Sequence, residues 1–112
     1  ARAQAAVDGV TVGAGVRDYI LAIVAASRND DRLRLGASPR AALALQRISQ
    51  AQAAIQGRAY AMPDDVKALA IPTLAHRLVV ESGARLRGVT ATTIVGEILD
   101  TVTVPIEAPA EG

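Results

Sequence analysis

Apolar residues recur at helical spacing in four stretches of the chain. In the first, roughly Ala14 to Asn29, Val16, Tyr19, Ile20 and Ile23 fall on one stripe, with Arg17 and Asp18 off it. Asn29-Asp30-Asp31 then breaks the pattern. The second stretch has the clearest boundaries. Ser38 is a good N-cap, Pro39 suits the first helical position, and Gly57 supplies a C-terminal stop. Between them Ala41, Leu45, Ile48, Ala51 and Ile55 define an apolar face, while Gln46, Arg47, Gln50 and Gln56 fall largely away from it. The third helix opens at Pro63-Asp64-Asp65, with two acids at the positive end of the dipole. Val66, Leu69, Ala70, Leu74 and Leu78 are its buried stripe, and Pro72 is expected to kink or split it. The fourth starts at the cap Thr90 and buries Ile94, Val95, Ile98, Leu99 and Val102.

The connecting segments read differently. Residues 7–12 suit a turn and an extended piece, Leu78-Val79-Val80 a short extended segment, and Glu81 to Val89 a loop with Gly83 and Gly88. Pro105 to Gly112 has two prolines and little to bury, as in a disordered tail or linker. The expected organisation is a lead-in over 1–13, an all-α bundle of about four helices over 14–104, and a flexible tail over 105–112. The opening at Ala1 reads as a piece cut from a longer protein.

Composition sharpens this picture. Of 112 residues, 51% are hydrophobic, yet there is no Phe or Trp and only two tyrosines, Tyr19 and Tyr60. An aliphatic and alanine core suits closely approaching helices. A net charge of +1 argues against a dedicated nucleic-acid binder. No cysteine is present, and His76 is the single histidine, so Cys-based redox chemistry and a His-based metal cluster are excluded. No apolar run reaches the ~18 residues of a membrane span.

The chain lacks a Gly-rich phosphate loop with Lys and Ser/Thr, and it lacks a Gly-x-Ser-x-Gly elbow. A Ser-His-Asp grouping would need His76, which reads instead as a hydrogen-bonding structural residue. Asp64 and Asp65 point in different directions on a helix and read as first-turn acids, and Asp30-Asp31 as a solvated loop. Arg40 is the candidate with chemistry. It follows Pro39 at a helix N-terminus, where free backbone N–H groups and the dipole favour an anion. A guanidinium there can add charge-assisted bonds to phosphate. The residues alone leave two readings open, a phosphate ligand or a solvated surface charge.

Leu35-Gly36-Ala37-Ser38-Pro39-Arg40-Ala41 resembles the signature that opens the arginine-bearing lid helix of MoxR-type AAA+ ATPases. Tyr19-Ile20 with Ala26-Ser27-Arg28, the stretch Gly57-Arg58-Ala59-Tyr60-Ala61-Met62-Pro63-Asp64-Asp65-Val66, and His76-Arg77-Leu78 extend the likeness over roughly residues 7–104. Met62 departs from a usual capping Thr, which weakens that helix start, and Ala61 replaces a larger apolar residue.

The resemblance implies a lid that closes over ATP and Mg2+ held by a separate core domain of the same chain. Arg40 would reach the γ-phosphate, and Gly36, Ala37 and Pro39 would line the adenine or ribose side. Hydrolysis would use core residues, so the domain alone is not an enzyme and is expected to hold no cofactor by itself. Arg28, Arg58 and Arg77 are assigned to structural or intersubunit contacts. The resemblance further implies a cytoplasmic bacterial protein, a ring, usually hexameric, chaperone-like remodelling or maturation of client complexes, and work with von Willebrand factor A domain proteins. It implies neither a nucleic-acid nor a membrane partner. The competing reading is a stand-alone helical interaction module with no nucleotide role.

Overall fold

The computed structural model describes Val7 and residues 9–105. Residues 1–6 and Asp8 of the lead-in expected over 1–13, and residues 106–112 of the tail expected over 105–112, lie outside the described residues. Among those described, five α-helices and one two-stranded ribbon form the fold: α1 Ala14–Arg28, β1 Leu33–Leu35, α2 Pro39–Ile55, α3 Pro63–Leu74, β2 Val79–Val80, α4 Ser82–Leu86 and α5 Ala91–Thr101. The expected all-α class holds, since the sheet is only this ribbon. No helix among the described residues is long and apolar enough to cross a membrane.

The α1 stripe is buried as the spacing predicts, and it extends through Val24 to Ser27. In α5 the Thr90 hydroxyl accepts from Thr93 N–H at 3.1 Å, and Ile94, Val95, Ile98 and Leu99 enter the core. Pro72 does not break α3 at once. The helix runs on to Leu74 and then tightens into a 3-10 turn, Ala75–Arg77. This is a mild form of the expected split.

α2 corrects the sequence reading. Its buried residues are Ala41, Leu45, Ser49, Gln50 and Ala53, whereas Ile48 is 40% and Ile55 81% exposed. The first, second, third and last of these are each four residues apart, so they form one ridge, small except for Leu45, on the packed face of α2. Gln50, expected outside, points in and donates from Nε2 to Val10 O at 2.9 Å.

Three connections also differ from expectation. β1 pairs antiparallel with β2, Leu33 opposite Val80 and Leu35 opposite Val79, with an irregularity between the two pairs. Glu81 to Val89 contains α4 rather than being all loop, because the Glu81 carboxylate caps it, accepting from Gly83 N–H at 2.8 Å and Ala84 N–H at 3.0 Å. Asp30 is not merely solvated: it accepts from Arg32 N–H at 2.9 Å and pairs with the Arg32 guanidinium at 2.8 Å. That guanidinium also reaches Glu97 of α5 at 2.6 Å.

The lead-in contributes to the fold as well. Val10 is buried, Thr11 N–H donates to Ala59 O at 2.8 Å, and Ala61 N–H donates to Thr11 O at 2.9 Å. This short parallel bridge clips residues 10–11 to the loop before α3.

Candidate functional site

The first turn of α2 carries the candidate site. Ser38 Oγ accepts from Ala41 N–H and Ser38 O from Ala42 N–H, both at 3.2 Å, and Pro39 has no N–H to offer. Arg40 N–H is therefore the one first-turn donor without a hydrogen bond among the described residues. The expected group of free N–H donors shrinks to one, because the cap that starts the helix uses the others. The Arg40 side chain is exposed, and its guanidinium has no hydrogen bond or ion pair among the described residues. A cation in a first turn opposes the dipole by about 0.3–1 kcal/mol, and an anion bound there would reverse that cost.

Gly36 and Ala37 hold this turn in place. A Cβ on Gly36 would lie 2.7 Å from Arg28 Cα and 2.8 Å from Ser27 O, so the loop is pressed against the α1 backbone. Ala37, 1% exposed, donates its N–H to Ser27 Oγ at 2.9 Å, and that hydroxyl donates to Val24 O at 2.7 Å. Ala26-Ser27-Arg28 and the stretch from Leu35 to Ala41 are thus one structural unit. Sequence reasoning missed the role of Ser27. The signal was available: helical spacing places this hydroxyl on the buried α1 stripe, where a polar group requires partners.

A second unit lies at the start of α3. Arg58 grips Asp65 through two bonds, Nη2 to Oδ1 at 2.6 Å and Nη1 to Oδ2 at 2.8 Å. It also donates to Tyr60 O at 3.1 Å and Gln56 Oε1 at 2.6 Å. Burial opposes the Asp65 charge, but the Arg58 guanidinium and the Met62 N–H, 2.7 Å away, outweigh it and hold the carboxyl below its ordinary pKa. Met62 makes no side-chain cap bond, and Asp65 supplies the return bond to the Met62 N–H instead. Asp64 stays exposed, so the two acids do not act as a pair.

Arg58 is therefore a structural arginine. Arg28 and Arg77 are exposed, without hydrogen bonds or ion pairs among the described residues. His76 is equally exposed and unbonded, which corrects its reading as a hydrogen-bonding histidine.

The donors at the start of α2 are a guanidinium and one N–H, a set that fits phosphate oxygens and not a metal cation. No group of three or more His, Cys, Asp or Glu able to hold a metal occurs among the described residues.

The family model for the AAA lid domain matches residues 25–98, from the end of α1 through most of α5. The chain belongs to the AAA lid domain family. This lid domain is 37% identical to the YeaC protein of Bacillus subtilis (strain 168) over 107 residues, covering 96% of this chain and 33% of that protein. It is 31% identical over 97 residues to Chaperone MoxR1 of Mycobacterium tuberculosis, covering 79% of this chain and 26% of that protein. A crystal structure of a Cytophaga hutchinsonii protein assigned as an ATPase superposes with a TM-score of 0.85 at 29% identity, covering 91% of this chain and 34% of that one. The resemblance to the lid of a MoxR-type AAA+ ATPase is thereby shown. The lid domain spans between a quarter and about a third of the proteins it matches.

Proposed function

We propose that this lid domain closes over ATP and Mg2+ held by a separate core domain of the same chain, and that Arg40 distinguishes ATP from ADP by binding the γ-phosphate. The supporting observation is the Arg40 guanidinium and its own N–H, both without a partner among the described residues, on a helix start anchored to α1 through Gly36 and Ala37. Gly36, Ala37 and Pro39 line the adenine or ribose side. Their backbone is already committed to packing and capping, so they supply shape there and the guanidinium supplies charge. Mg2+ and the hydrolytic water belong to the core, whose residues carry the chemistry. In this reading neighbouring subunits of a cytoplasmic ring, a hexamer, are further partners. The assembly remodels or matures client complexes in a chaperone-like way, together with von Willebrand factor A domain proteins.

Arg40→Ala in the full-length ATPase is expected to lower ATP turnover by about 10- to 100-fold, the loss of charge-assisted bonds worth about 1.5–3 kcal/mol. Its melting temperature should not fall, because the guanidinium makes no hydrogen bond or ion pair among the described residues and its charge opposes the helix dipole. Unchanged turnover and unchanged ATP affinity would refute the sensor role. The 112-residue chain alone is expected to bind ATP in about the millimolar range, since it supplies one or two contacts. Submicromolar binding by calorimetry would contradict the division of labour between lid and core.

A further inference from the structure

We infer that Ser27 is a positioning residue for Arg40, so that the end of α1 sets how well the lid tells ATP from ADP. The inference rests on the phosphate-sensing reading of Arg40. Ser27 is 2% exposed, and both of its hydrogen-bonding directions are used. Its hydroxyl donates to Val24 O at 2.7 Å, which fixes the rotor, and accepts from Ala37 N–H at 2.9 Å. Its carbonyl meanwhile lies against Gly36, where a Cβ would approach to 2.8 Å. One residue thus holds two consecutive residues of the loop by two different atoms. The next residue, Ser38, caps α2 at Ala41 N–H, 3.2 Å away, so the constraint passes directly into the turn bearing Arg40. The Arg40 guanidinium has no hydrogen bond or ion pair among the described residues that would fix its own position. Its aim depends on where the first turn of α2 is pinned, and a small displacement of a positioned group is costly at a phosphate.

Removing the Ser27 hydroxyl leaves the buried Ala37 N–H unpaired and frees the loop to shift. ADP, with no γ-phosphate, does not report Arg40, whereas ATP does. The test measures the dissociation constants of ATP and ADP for the full-length ATPase and its Ser27→Ala, Ser27→Thr and Arg40→Ala variants, below the melting temperature of each. Ser27→Ala is expected to cut the preference for ATP over ADP by about tenfold, equivalent to about 1.4 kcal/mol, because ATP loses the Arg40 contact in addition to whatever both nucleotides lose at the adenine or ribose side. Ser27→Thr keeps the hydroxyl and should keep the preference.

A loss of preference in Arg40→Ala with none in Ser27→Ala would leave the sensor reading standing and overturn the positioning role. No loss in either variant would overturn the sensor reading itself. A threonine variant as defective as the alanine one would take the effect off the hydroxyl and overturn the inference. Should Ser27→Ala not fold, Ser27→Cys, which keeps a weaker donor and acceptor at the same place, carries the same comparison.

Discussion

Gly36→Ala is expected to destabilise the lid domain by about 3 kcal/mol, lowering the melting temperature by roughly 12–20 °C. The cause is steric. Gly36 does not adopt the positive φ that favours glycine, which among the described residues belongs to Gly57 at +76° and Gly88 at +86°. A Cβ at Gly36 would instead sit 2.7 Å from Arg28 Cα and 2.9 Å from Arg28 N, and backbone atoms cannot swing aside as a flexible side chain does. The loop must lift, and lifting it strains the Ala37–Ser27 bond and shifts the cap of α2. Gly57 offers the contrasting case. A Cβ there meets nothing within 4 Å, so Gly57→Ala costs only the left-handed backbone, about 1 kcal/mol. Thermal melts of the two variants separate these mechanisms, and equal losses at both positions would contradict the steric account.

Asp65→Ala is expected to cost a similar amount, about 3 kcal/mol, because it removes the counter-charge of the Arg58 guanidinium and unpairs the Met62 N–H at once. Asp65 is 4% exposed and the Arg58 side chain 19%, so water compensates little. Asp65→Asn keeps an acceptor for the Met62 N–H and should lose less. The pair also sets part of the acid response. Because the folded carboxyl titrates below its ordinary value of 3.8, its contribution is complete above that pH and is lost as pH falls through the lower folded value. Urea midpoints should be flat from about pH 7 to 5 and fall below about pH 4. Asp65→Ala should show a shallower fall. It should not be level, because Arg32 hydrogen bonds depress Asp30 against its partial burial, and helix-cap bonds depress Glu81. Identical acid slopes for the two proteins would contradict the assignment.

The parts of this fold legible in the sequence are those where a single residue type dictates local geometry. Ser38-Pro39, Gly57 and Thr90 mark helix ends through their own backbone chemistry, and the large aliphatics of α1 and α5 leave no doubt about phase. α2 was misread because alanine is apolar on every face. With eight alanines or leucines between Pro39 and Ile55, periodicity alone does not choose a stripe. The choice falls to how closely α3 can approach, which favours the ridge through Ser49 and Ala53 and turns Ile55 out to solvent. The ribbon was illegible because its strands are three and two residues long, too short to alternate visibly. At the site, Arg40 and its cap were readable from spacing. The use of the neighbouring N–H groups by Ser38, and the grip of Ser27 on Ala37, needed the juxtaposition of two helices distant in sequence.

The clip at Thr11 has a mechanical consequence. Chain arriving upstream of Val10 cannot swivel at Gly13, the residue before α1, because it is already fastened to Ala59, Ala61 and Gln50. A torque delivered from that side would enter at the junction of α2 and α3, with α2 as the lever. The end of that lever bearing Arg40 is the start of α2, while the force is applied nearer its other end.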